Sequence, residues 1–143
     1  MDTIRETQAY YEGGVEAIYR QISGTTLHLG MFEGVDDTRQ AAYARTKAFL
    51  VSHLPSLSAD TTIVDLGCGY GDMGRHLAQH FGCRVIGLNL IHNQNVASAA
   101  LTEAAGLSER VSTVEADFAC APLPSACTPV VWSQEAMLHA PDR

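Results

Sequence analysis

The sequence IVDLGCGYGDMG, residues 63–74, decides how the rest of the chain is interpreted. A short apolar run ends at Asp65, and four glycines follow within eight residues, at positions 67, 69, 71 and 74. Glycine after a buried strand lets a ligand touch the main chain where a Cβ atom would block it. The helix that follows such a loop points its positive end at the same place. The segment therefore predicts a strand, a ligand-binding loop and a helix, rather than a turn that serves packing alone.

Two kinds of ligand fit this loop. Gly69, Gly71 and Gly74 form a literal G-x-G-x-x-G pattern, which is typical of dinucleotide sites. Such a site also favours an acidic residue about 20 positions further on, and this chain has Asn89 at the end of the next predicted strand. Asp65 places a carboxylate beside the loop, where it would repel a pyrophosphate and attract a cation. A cationic nucleoside such as S-adenosylmethionine, with its amino group and sulfonium, is therefore favoured over NAD.

Around the loop, short β-branched runs alternate with helical segments. Strands are predicted at 61–67, 83–90, 110–117 and 129–134, and helices at 72–81 and 93–105, with the segment EAMLHA (135–140) beginning another helix. Upstream, helices are predicted over 3–22, with a break near Gly13 and Gly14, and over 37–54, with a cap at Asp36 or Asp37 and Pro55 as the stop. This alternation predicts an α/β fold with a parallel sheet that binds its ligand where the first two strands end.

Composition excludes several kinds of partner. The formal net charge is −7 and there is no run of Lys or Arg, so we expect neither nucleic acid nor an anionic membrane surface as a partner. No apolar stretch reaches the roughly 18 residues that a spanning helix needs, and the N-terminus lacks a signal-peptide core. We therefore expect a cytoplasmic protein. The four cysteines form no C-x-x-C pair, so neither a metal site nor a disulfide framework is expected.

Four blocks of the sequence resemble a known family. VDLGCGYG (64–71) is similar to the first motif of the class I S-adenosylmethionine-dependent methyltransferases, a Rossmann-like family. GLNLIHNQN (87–95), VVWSQEAMLHAPDR (130–143) and GTTLHLGMFEG (24–34) resemble segments of the glycine, sarcosine and dimethylglycine N-methyltransferases, and phosphoethanolamine methyltransferases have a related layout. The resemblance implies an enzyme that uses S-adenosylmethionine, releases S-adenosylhomocysteine and methylates a small molecule, with the nitrogen of a small amine as the leading acceptor. An oxygen or carbon acceptor, or a cofactor-binding module without activity of its own, remains an alternative.

The same resemblance assigns residues to the cofactor. The contacts that it implies are Asp65, Gly67, Cys68, Gly69 and Gly71 in the first loop, Asn89, Leu90 and Gln94 after the second strand, Asp117 and Phe118 after the third, Ser133 and Gln134 after the fourth, and Tyr11, His28 and Leu29 near the N-terminus. Asn89 would bind the ribose hydroxyls and Asp117 the adenine amino group. The alternatives stay open: a strand-end cap for Asn89, a turn residue for Asp117, and a place in a helix N-terminus and nothing else for Gln94.

The resemblance also implies catalytic roles for Tyr11, Glu135 and His139. In the phosphoethanolamine group a histidine at the place of His139 pairs with an N-terminal tyrosine, and Tyr11 aligns best with that tyrosine. The pair would latch a lid over the cofactor and help to remove the amine proton, while Glu135 would attract a cationic amine; local hydrogen bonding is the alternative for His139. A substrate carboxylate would need a cation, for which Arg20 and Arg143 are the candidates.

We expect residues 1–55 to form an N-terminal helical lid and residues 56–143 to form a cofactor-binding core that is incomplete after its fourth strand. Four strands are few for an open sheet of this architecture, and an uncovered edge strand favours pairing with another chain. The sequence therefore predicts either a homo-oligomer or a missing C-terminal region beside the fourth strand.

Overall fold

The computed structural model describes residues 3–140, apart from the side chains of Thr3, Val15, Tyr19 and Ser23. The described residues divide into two compact units. The first unit combines the chain up to Leu27 with the chain from Ser58 onward, and the second is His28–Leu57. No helix among the described residues is long and apolar enough to cross a membrane.

A four-stranded parallel sheet forms the first unit's centre. Its strands are β1 (Thr62–Leu66), β2 (Arg84–Asn89), β3 (Val111–Glu115) and β4 (Val130–Trp132), in the order β3-β2-β1-β4. The predicted α/β fold with a parallel sheet is confirmed. The chain leaves β1 toward β2 and β3 and later returns to the other side of β1 with β4. This reversal is the switch point at which open α/β sheets bind ligands, just beyond the carboxyl ends of the strands.

Apolar side chains fix the register of the central strands. Ile63 pairs with Val85 on one side and with Val130 on the other, and these residues are 0%, 1% and 6% exposed. A central parallel strand is covered on both faces, so its side chains are apolar without alternation. Asp65 is the one polar residue among the three buried residues of β1 and is therefore the residue whose burial needs an explanation.

Two helices in the first unit follow the first two strands. Helix α4 spans Asp72–Phe81, between Gly71 and Gly82, as predicted residue for residue. Helix α5 spans His92–Ala104, one residue earlier at each end than predicted. A Cβ atom at Gly74 would lie 3.2 Å from Cγ1 of Val85, so this glycine lets α4 pack closely on β2. The N-terminus of α4 thus lies directly after the glycine loop.

The N-terminal segment contains two short helices. Helix α1 spans Thr3–Tyr10 and helix α2 spans Glu16–Ser23. A widened turn over Tyr11–Val15 joins them, and the helical dihedral angles are lost at Gly13 and Gly14, where the break was predicted.

The second unit contains helix α3, Arg39–Val51. The predicted cap at Asp36 or Asp37 was wrong, because Oγ1 of Thr38 accepts the hydrogen bond from the Ala41 N–H at 3.2 Å. The carboxylate of Asp37 is used elsewhere: it accepts from the Glu33 N–H at 2.7 Å and pairs with Arg45. The helix ends at Val51, before Pro55 is reached.

A second prediction was wrong after β4. The segment 135–140 does not begin an α-helix within the described residues but forms one 3-10 turn, Met137–His139. Glu135 has a φ of 54°, in the left-handed region that an α-helix excludes, so the chain bends there instead. This bend brings the residues after β4 back toward the glycine loop.

Candidate cofactor and active site

Two glycines of the loop are required by close packing. Gly67 has a φ of 76°, and a Cβ atom there would lie 2.2 Å from Cβ of Ala136. Gly71 has a φ of 70°, and a Cβ atom there would lie 2.4 Å from Oγ of Ser98. Both positions therefore combine a left-handed conformation with a contact that leaves no room for a side chain. The loop is held between the segment after β4 and helix α5.

Only some of the loop's main-chain donors are available to a ligand. The N–H groups of Gly67 and Cys68 donate to the carbonyl of Leu88 at 2.8 and 3.1 Å. The Gly71 N–H donates to the carbonyl of Cys68 at 2.8 Å. The N–H groups of Gly69 and Tyr70 have no acceptor among residues 3–140. A ligand in the loop would thus find its main-chain donors at positions 69 and 70.

The side chain of Cys68 points at the sheet. A Cβ atom on Gly87 would lie 2.5 Å from its Sγ, so the sulfur occupies the space that the glycine of β2 leaves open. Burial raises the pKa of the Cys68 thiol, and the negative charge of Asp65 raises it further. The thiol is therefore a neutral packing group. The predicted cofactor contact of Cys68 stays a prediction, and it would be made through the main chain.

Asp65 is a buried acid without a partner in the described part of the chain. It is 3% exposed and lies in register between Gly87 of β2 and Trp132 of β4. No described residue donates a hydrogen bond to its carboxyl group or forms an ion pair with it. Burial raises the pKa of Asp65 to about 7. A cation beside Asp65 would favour the ionised form of its carboxyl group, so the site suits a positively charged ligand.

Asn89 and Gln94, both predicted to contact the cofactor, touch each other at the end of β2. Nδ2 of Asn89 donates to Oε1 of Gln94 at 3.1 Å. It also donates to Oδ1 of Asn95 at 3.1 Å, and Nδ2 of Asn95 returns a bond to the carbonyl of Asn89 at 3.1 Å. Gln94 is 2% exposed, and its Nε2 has no acceptor among the described residues. A buried donor of this kind calls for a ligand or water, since buried polar groups are almost always paired.

The residues after β3 combine a turn with a place at the loop. Oδ1 of Asp117 accepts from the Ala119 N–H at 2.9 Å, so one carboxylate oxygen caps the turn at 118–120. The ring of Phe118 lies 3.8 Å from the position of a Cβ atom at Gly67, which places it beside the glycine loop. The turn role that was left open for Asp117 is thus observed, and its contact with adenine stays a prediction. Leu90, half-buried after β2, likewise keeps its role as a prediction.

The end of β4 supplies further buried polar atoms. Oγ of Ser133 donates to the carbonyl of Leu66 at 3.1 Å, which ties this segment to the end of β1. Both amide atoms of Gln134 and Nε1 of Trp132 are buried with no partner in residues 3–140. Polar groups without partners therefore cluster along the strand ends, as expected where a polar ligand completes the site. Glu135 is exposed and left-handed.

The structure brings Tyr11 and His139 together across 128 positions of sequence. Oη of Tyr11 lies 3.1 Å from Nε2 of His139, and the two rings meet edge to face with centroids 5.6 Å apart. The His139 N–H donates to the carbonyl of Ala136 at 3.0 Å. Ala136 packs against Gly67, and the single turn Met137–His139 follows it. The Tyr11–His139 pair therefore lies one turn of chain from the glycine loop. The contact that the resemblance implied is present, and its catalytic role stays a prediction.

Two further contacts join the N-terminal segment to the start of α4 and the loop. Oγ1 of Thr26 donates to Oδ2 of Asp72 at 3.2 Å. Cδ1 of Leu27 lies 3.1 Å from the position of a Cβ atom at Gly69. Both residues lie in the block 24–34 that resembles the family, but neither was assigned a role from the sequence.

Tyr70 was also missed, although one signal pointed to it: it is the single aromatic side chain among the glycines. It is 1% exposed, and its hydroxyl donates to Oε1 of Glu16. The guanidinium of Arg20 lies 5.8 Å from its ring centroid. Its carbonyl accepts from Nη1 of Arg75 at 2.7 Å. The middle of the loop is thus held from helix α2 on one side and from helix α4 on the other.

Three predicted residues fall outside the described part of the first unit. The ring of His28 meets the ring of Tyr43 with centroids 5.8 Å apart, and the carbonyl of Leu29 accepts from Oγ1 of Thr46 at 3.3 Å, both within the second unit. Their cofactor roles stay predictions. Arg143 lies outside the described residues. No cluster of three or more His, Cys, Asp or Glu side chains that could hold a metal ion occurs in residues 3–140.

Comparisons with known proteins agree with this geometry. Residues 63–143 match the family model described as Methyltransferase domain. A sarcosine/dimethylglycine N-methyltransferase of Halorhodospira halochloris is 32% identical over 120 residues, which are 84% of this chain and 43% of that protein. A sterol 24-C-methyltransferase of Eremothecium gossypii is 31% identical over 140 residues, 98% of this chain and 37% of that protein.

A crystal structure from Galdieria sulphuraria, described as a sarcosine dimethylglycine methyltransferase, superposes with a TM-score of 0.84 at 29% identity. The match covers 89% of this chain and 50% of that one. The chain thus spans about half the length, or less, of the relatives it matches.

Proposed function

Because the chain belongs to the class I S-adenosylmethionine-dependent methyltransferases, we propose that it binds S-adenosylmethionine at the ends of β1 and β2 and methylates the nitrogen of a small amine. The observation that carries the proposal is the Tyr11–His139 pair, which stands one turn of chain from the glycine loop.

The described residues fit the cofactor at three places. Asp65 supplies a buried carboxyl group without a cation partner, which suits a ligand with an amino group and a sulfonium. The N–H groups of Gly69 and Tyr70 are main-chain donors without an acceptor among the described residues. Nε2 of Gln94 is a buried side-chain donor that likewise has no acceptor among the described residues. When bound, S-adenosylmethionine supplies a methyl group that is already activated for displacement.

Tyr11 and His139 would handle the proton of the amine. An amine attacks only when its nitrogen is neutral, so an ammonium substrate must first lose a proton. Oη of Tyr11 would accept that proton while the hydroxyl proton of Tyr11 passes to Nε2 of His139, which lies 3.1 Å away. The charge then rests on the imidazole of His139, a side-chain type suited to proton transfer near neutral pH. Glu135, exposed on the bend after β4, would attract the cationic amine to this place.

The relatives support an amine and also favour a second candidate. The Halorhodospira halochloris protein is named for sarcosine and dimethylglycine, two small amines that carry a carboxylate. The Eremothecium gossypii protein is named for carbon methylation of a sterol, at nearly equal identity over more of this chain. A carbon acceptor is therefore the second candidate. A third is a cofactor-binding module that needs further sequence for activity, since the chain spans less than half the length of these two relatives.

The proposal is tested by methyl transfer from labelled S-adenosylmethionine to glycine, sarcosine, dimethylglycine or phosphoethanolamine. We expect turnover on at least one amine, reduced by about 10²–10⁴-fold in His139→Ala, the range for loss of a general base. His80→Ala is the matched control, because His80 is an exposed histidine at the end of α4 whose Nδ1 lies 2.9 Å from the carbonyl of His76, and it should keep full turnover.

The outcomes separate the three candidates. Cofactor binding with transfer to a sterol and to no amine would favour the carbon acceptor. Cofactor binding with no transfer to any acceptor would favour the binding module. Full turnover by His139→Ala on an amine would contradict the role of the Tyr11–His139 pair while leaving the cofactor site in place.

A further inference from the structure

We propose that Asn95 is a positioning residue: by fixing the side-chain amide of Asn89, it makes the end of β2 present one acceptor and one donor, Oδ1 of Asn89 and Nε2 of Gln94, to the two adjacent hydroxyls of a ribose. The inference rests on the cofactor site proposed above. It concerns a side chain that contacts Asn89 rather than the cofactor.

The orientation of Asn95 follows from a main-chain carbonyl. The carbonyl of Asn89 can only accept, and the sheet holds it through the Ala116 N–H, which donates to it at 3.2 Å. Nδ2 of Asn95 donates to the same carbonyl at 3.1 Å. The amide of Asn95 therefore cannot be reversed without setting oxygen against oxygen. Its Oδ1 is left facing the side chain of Asn89.

The orientation of Asn89 follows in turn. Its Nδ2 donates to Oδ1 of Asn95 at 3.1 Å and lies 3.4 Å from the carbonyl of Ile91, which is also an acceptor only. Reversing the Asn89 amide would place its oxygen against both. Oδ1 of Asn89 thus faces away from this cluster, and no donor is paired with it in the described part of the chain. Oδ1 of Asn89 is therefore left as an acceptor for a ligand.

Gln94 completes the set. Its Oε1 accepts from Nδ2 of Asn89 at 3.1 Å, which leaves Nε2 as a buried donor without an acceptor among the described residues. Oε1 of Gln94 also lies 4.0 Å from the position of a Cβ atom at Gly69, so the amide stands beside the glycine loop. The main-chain carbonyl of Asn89 thus sets the orientation of three side-chain amides, first that of Asn95, then that of Asn89 and then that of Gln94.

This arrangement suits a diol in a way that depends on Asn95. Each hydroxyl of a ribose both donates and accepts, so one acceptor and one donor satisfy a neighbouring pair. An aspartate at position 89 offers acceptors only and would face Oδ1 of Asn95 and the carbonyl of Ile91. We therefore infer that the neutral amide at position 89 works here because Asn95 orients it, and that an acid is not equivalent at this position of this chain.

The test compares two ligands by calorimetry with the full chain: S-adenosylhomocysteine and its 2′,3′-dideoxy analogue, which lacks both hydroxyls. The wild-type chain should prefer S-adenosylhomocysteine. In Asn95→Leu the affinity for S-adenosylhomocysteine should fall by about 10-fold while the affinity for the dideoxy analogue is unchanged, because one oriented hydrogen bond to the diol is lost.

Two further variants make the result decisive. Asn93→Leu is the matched control, an exposed asparagine in the same turn of α5, and it should behave as wild type. Asn89→Asp, which keeps the size of the side chain, should lose the preference as Asn95→Leu does. The inference is overturned if Asn95→Leu weakens both ligands equally, if it weakens neither, or if Asn89→Asp keeps the wild-type preference. A wild-type chain that binds neither ligand would contradict the proposed cofactor site itself.

Discussion

The hydroxyl of Tyr70, in the middle of the glycine loop, donates a hydrogen bond to the carboxylate of Glu16 on helix α2, 54 positions earlier in the chain. Burial raises the pKa of Tyr70, and the Glu16 carboxylate raises it further, so the hydroxyl stays protonated and keeps donating near neutrality. The N-terminal helices are thereby coupled to the conformation of the loop that we assign to the cofactor.

Removing this hydroxyl tests the coupling. Tyr70→Phe leaves the Glu16 carboxylate without its donor, and we expect the free energy of unfolding to fall by about 1–3 kcal/mol. Hydrogen exchange of the main chain over residues 4–23 should also become faster. Urea denaturation and exchange measured by mass spectrometry check both effects. Tyr43→Phe, which removes a tyrosine hydroxyl from the second unit, is the control; equal effects of the two variants would show that the bond to Glu16 contributes nothing.

Gly71 tests how tightly the loop is packed. Gly71→Ala adds a Cβ atom at a φ of 70° and 2.4 Å from Oγ of Ser98. Gly106→Ala adds one at a φ of 68° with nothing within 4 Å, so it carries the same backbone strain without the collision. We expect Gly106→Ala to cost about 1–2 kcal/mol of stability and Gly71→Ala about 1–3 kcal/mol more. Thermal unfolding compares the two, and identical losses would mean that the loop relaxes away from α5.

Elements with a local signal in the sequence were predicted correctly, whereas features that depend on contacts made in the folded chain were not. Helix α4 was predicted to the residue because a glycine marks each end, and local marks of this kind survive folding. The cap of α3 was assigned to the wrong residue because Asp37, a good cap by type, is engaged by Glu33 and Arg45 instead. The helix predicted after β4 failed because no local pattern announced the left-handed conformation of Glu135.

In the candidate site, too, some residues could be identified from the sequence and others only from the folded chain. The resemblance to a family supplied Tyr11 and His139, which no periodicity would have joined across 128 positions. Tyr70 lies in the first family motif, but nothing in the sequence indicated that its hydroxyl would bond to Glu16, and only the folded chain shows this contact. The use of the Gly67 N–H by a carbonyl of β2 depends on strand pairing and could not be deduced from the glycine pattern.

Asp65 makes stability depend on pH. Its pKa is about 7 in the folded protein and 3.8 ordinarily, because burial disfavours the charge. The folded state therefore binds the proton more strongly than the unfolded state does. The resulting stabilisation is complete below about pH 4 and is lost as the pH rises through about 7. As the pH rises over this range, urea denaturation should show Asp65→Asn becoming progressively more stable relative to the wild-type chain, because the variant has no charge to bury; a constant difference would contradict the raised pKa.

Ligand binding should have the opposite dependence on pH. A cationic ligand favours the ionised form of Asp65, so the affinity for S-adenosylmethionine should rise by roughly tenfold between about pH 6 and 8, as expected for loss of one proton from a group with this pKa. Calorimetry in buffers of different ionisation enthalpy would detect the proton released on binding. In Asp65→Asn the affinity should be lower and nearly constant. Equal pH profiles for the two proteins would assign the proton to another group.

The central claim is that the buried acid and the glycine loop of this chain form a site for a cationic nucleoside rather than for a dinucleotide. The most direct test is a calorimetric titration of the full chain with S-adenosylmethionine and, separately, with NAD at pH 8. We predict binding of S-adenosylmethionine at one site, with weakened binding in Asp65→Asn and none of NAD. Binding of NAD together with no binding of S-adenosylmethionine would contradict the account.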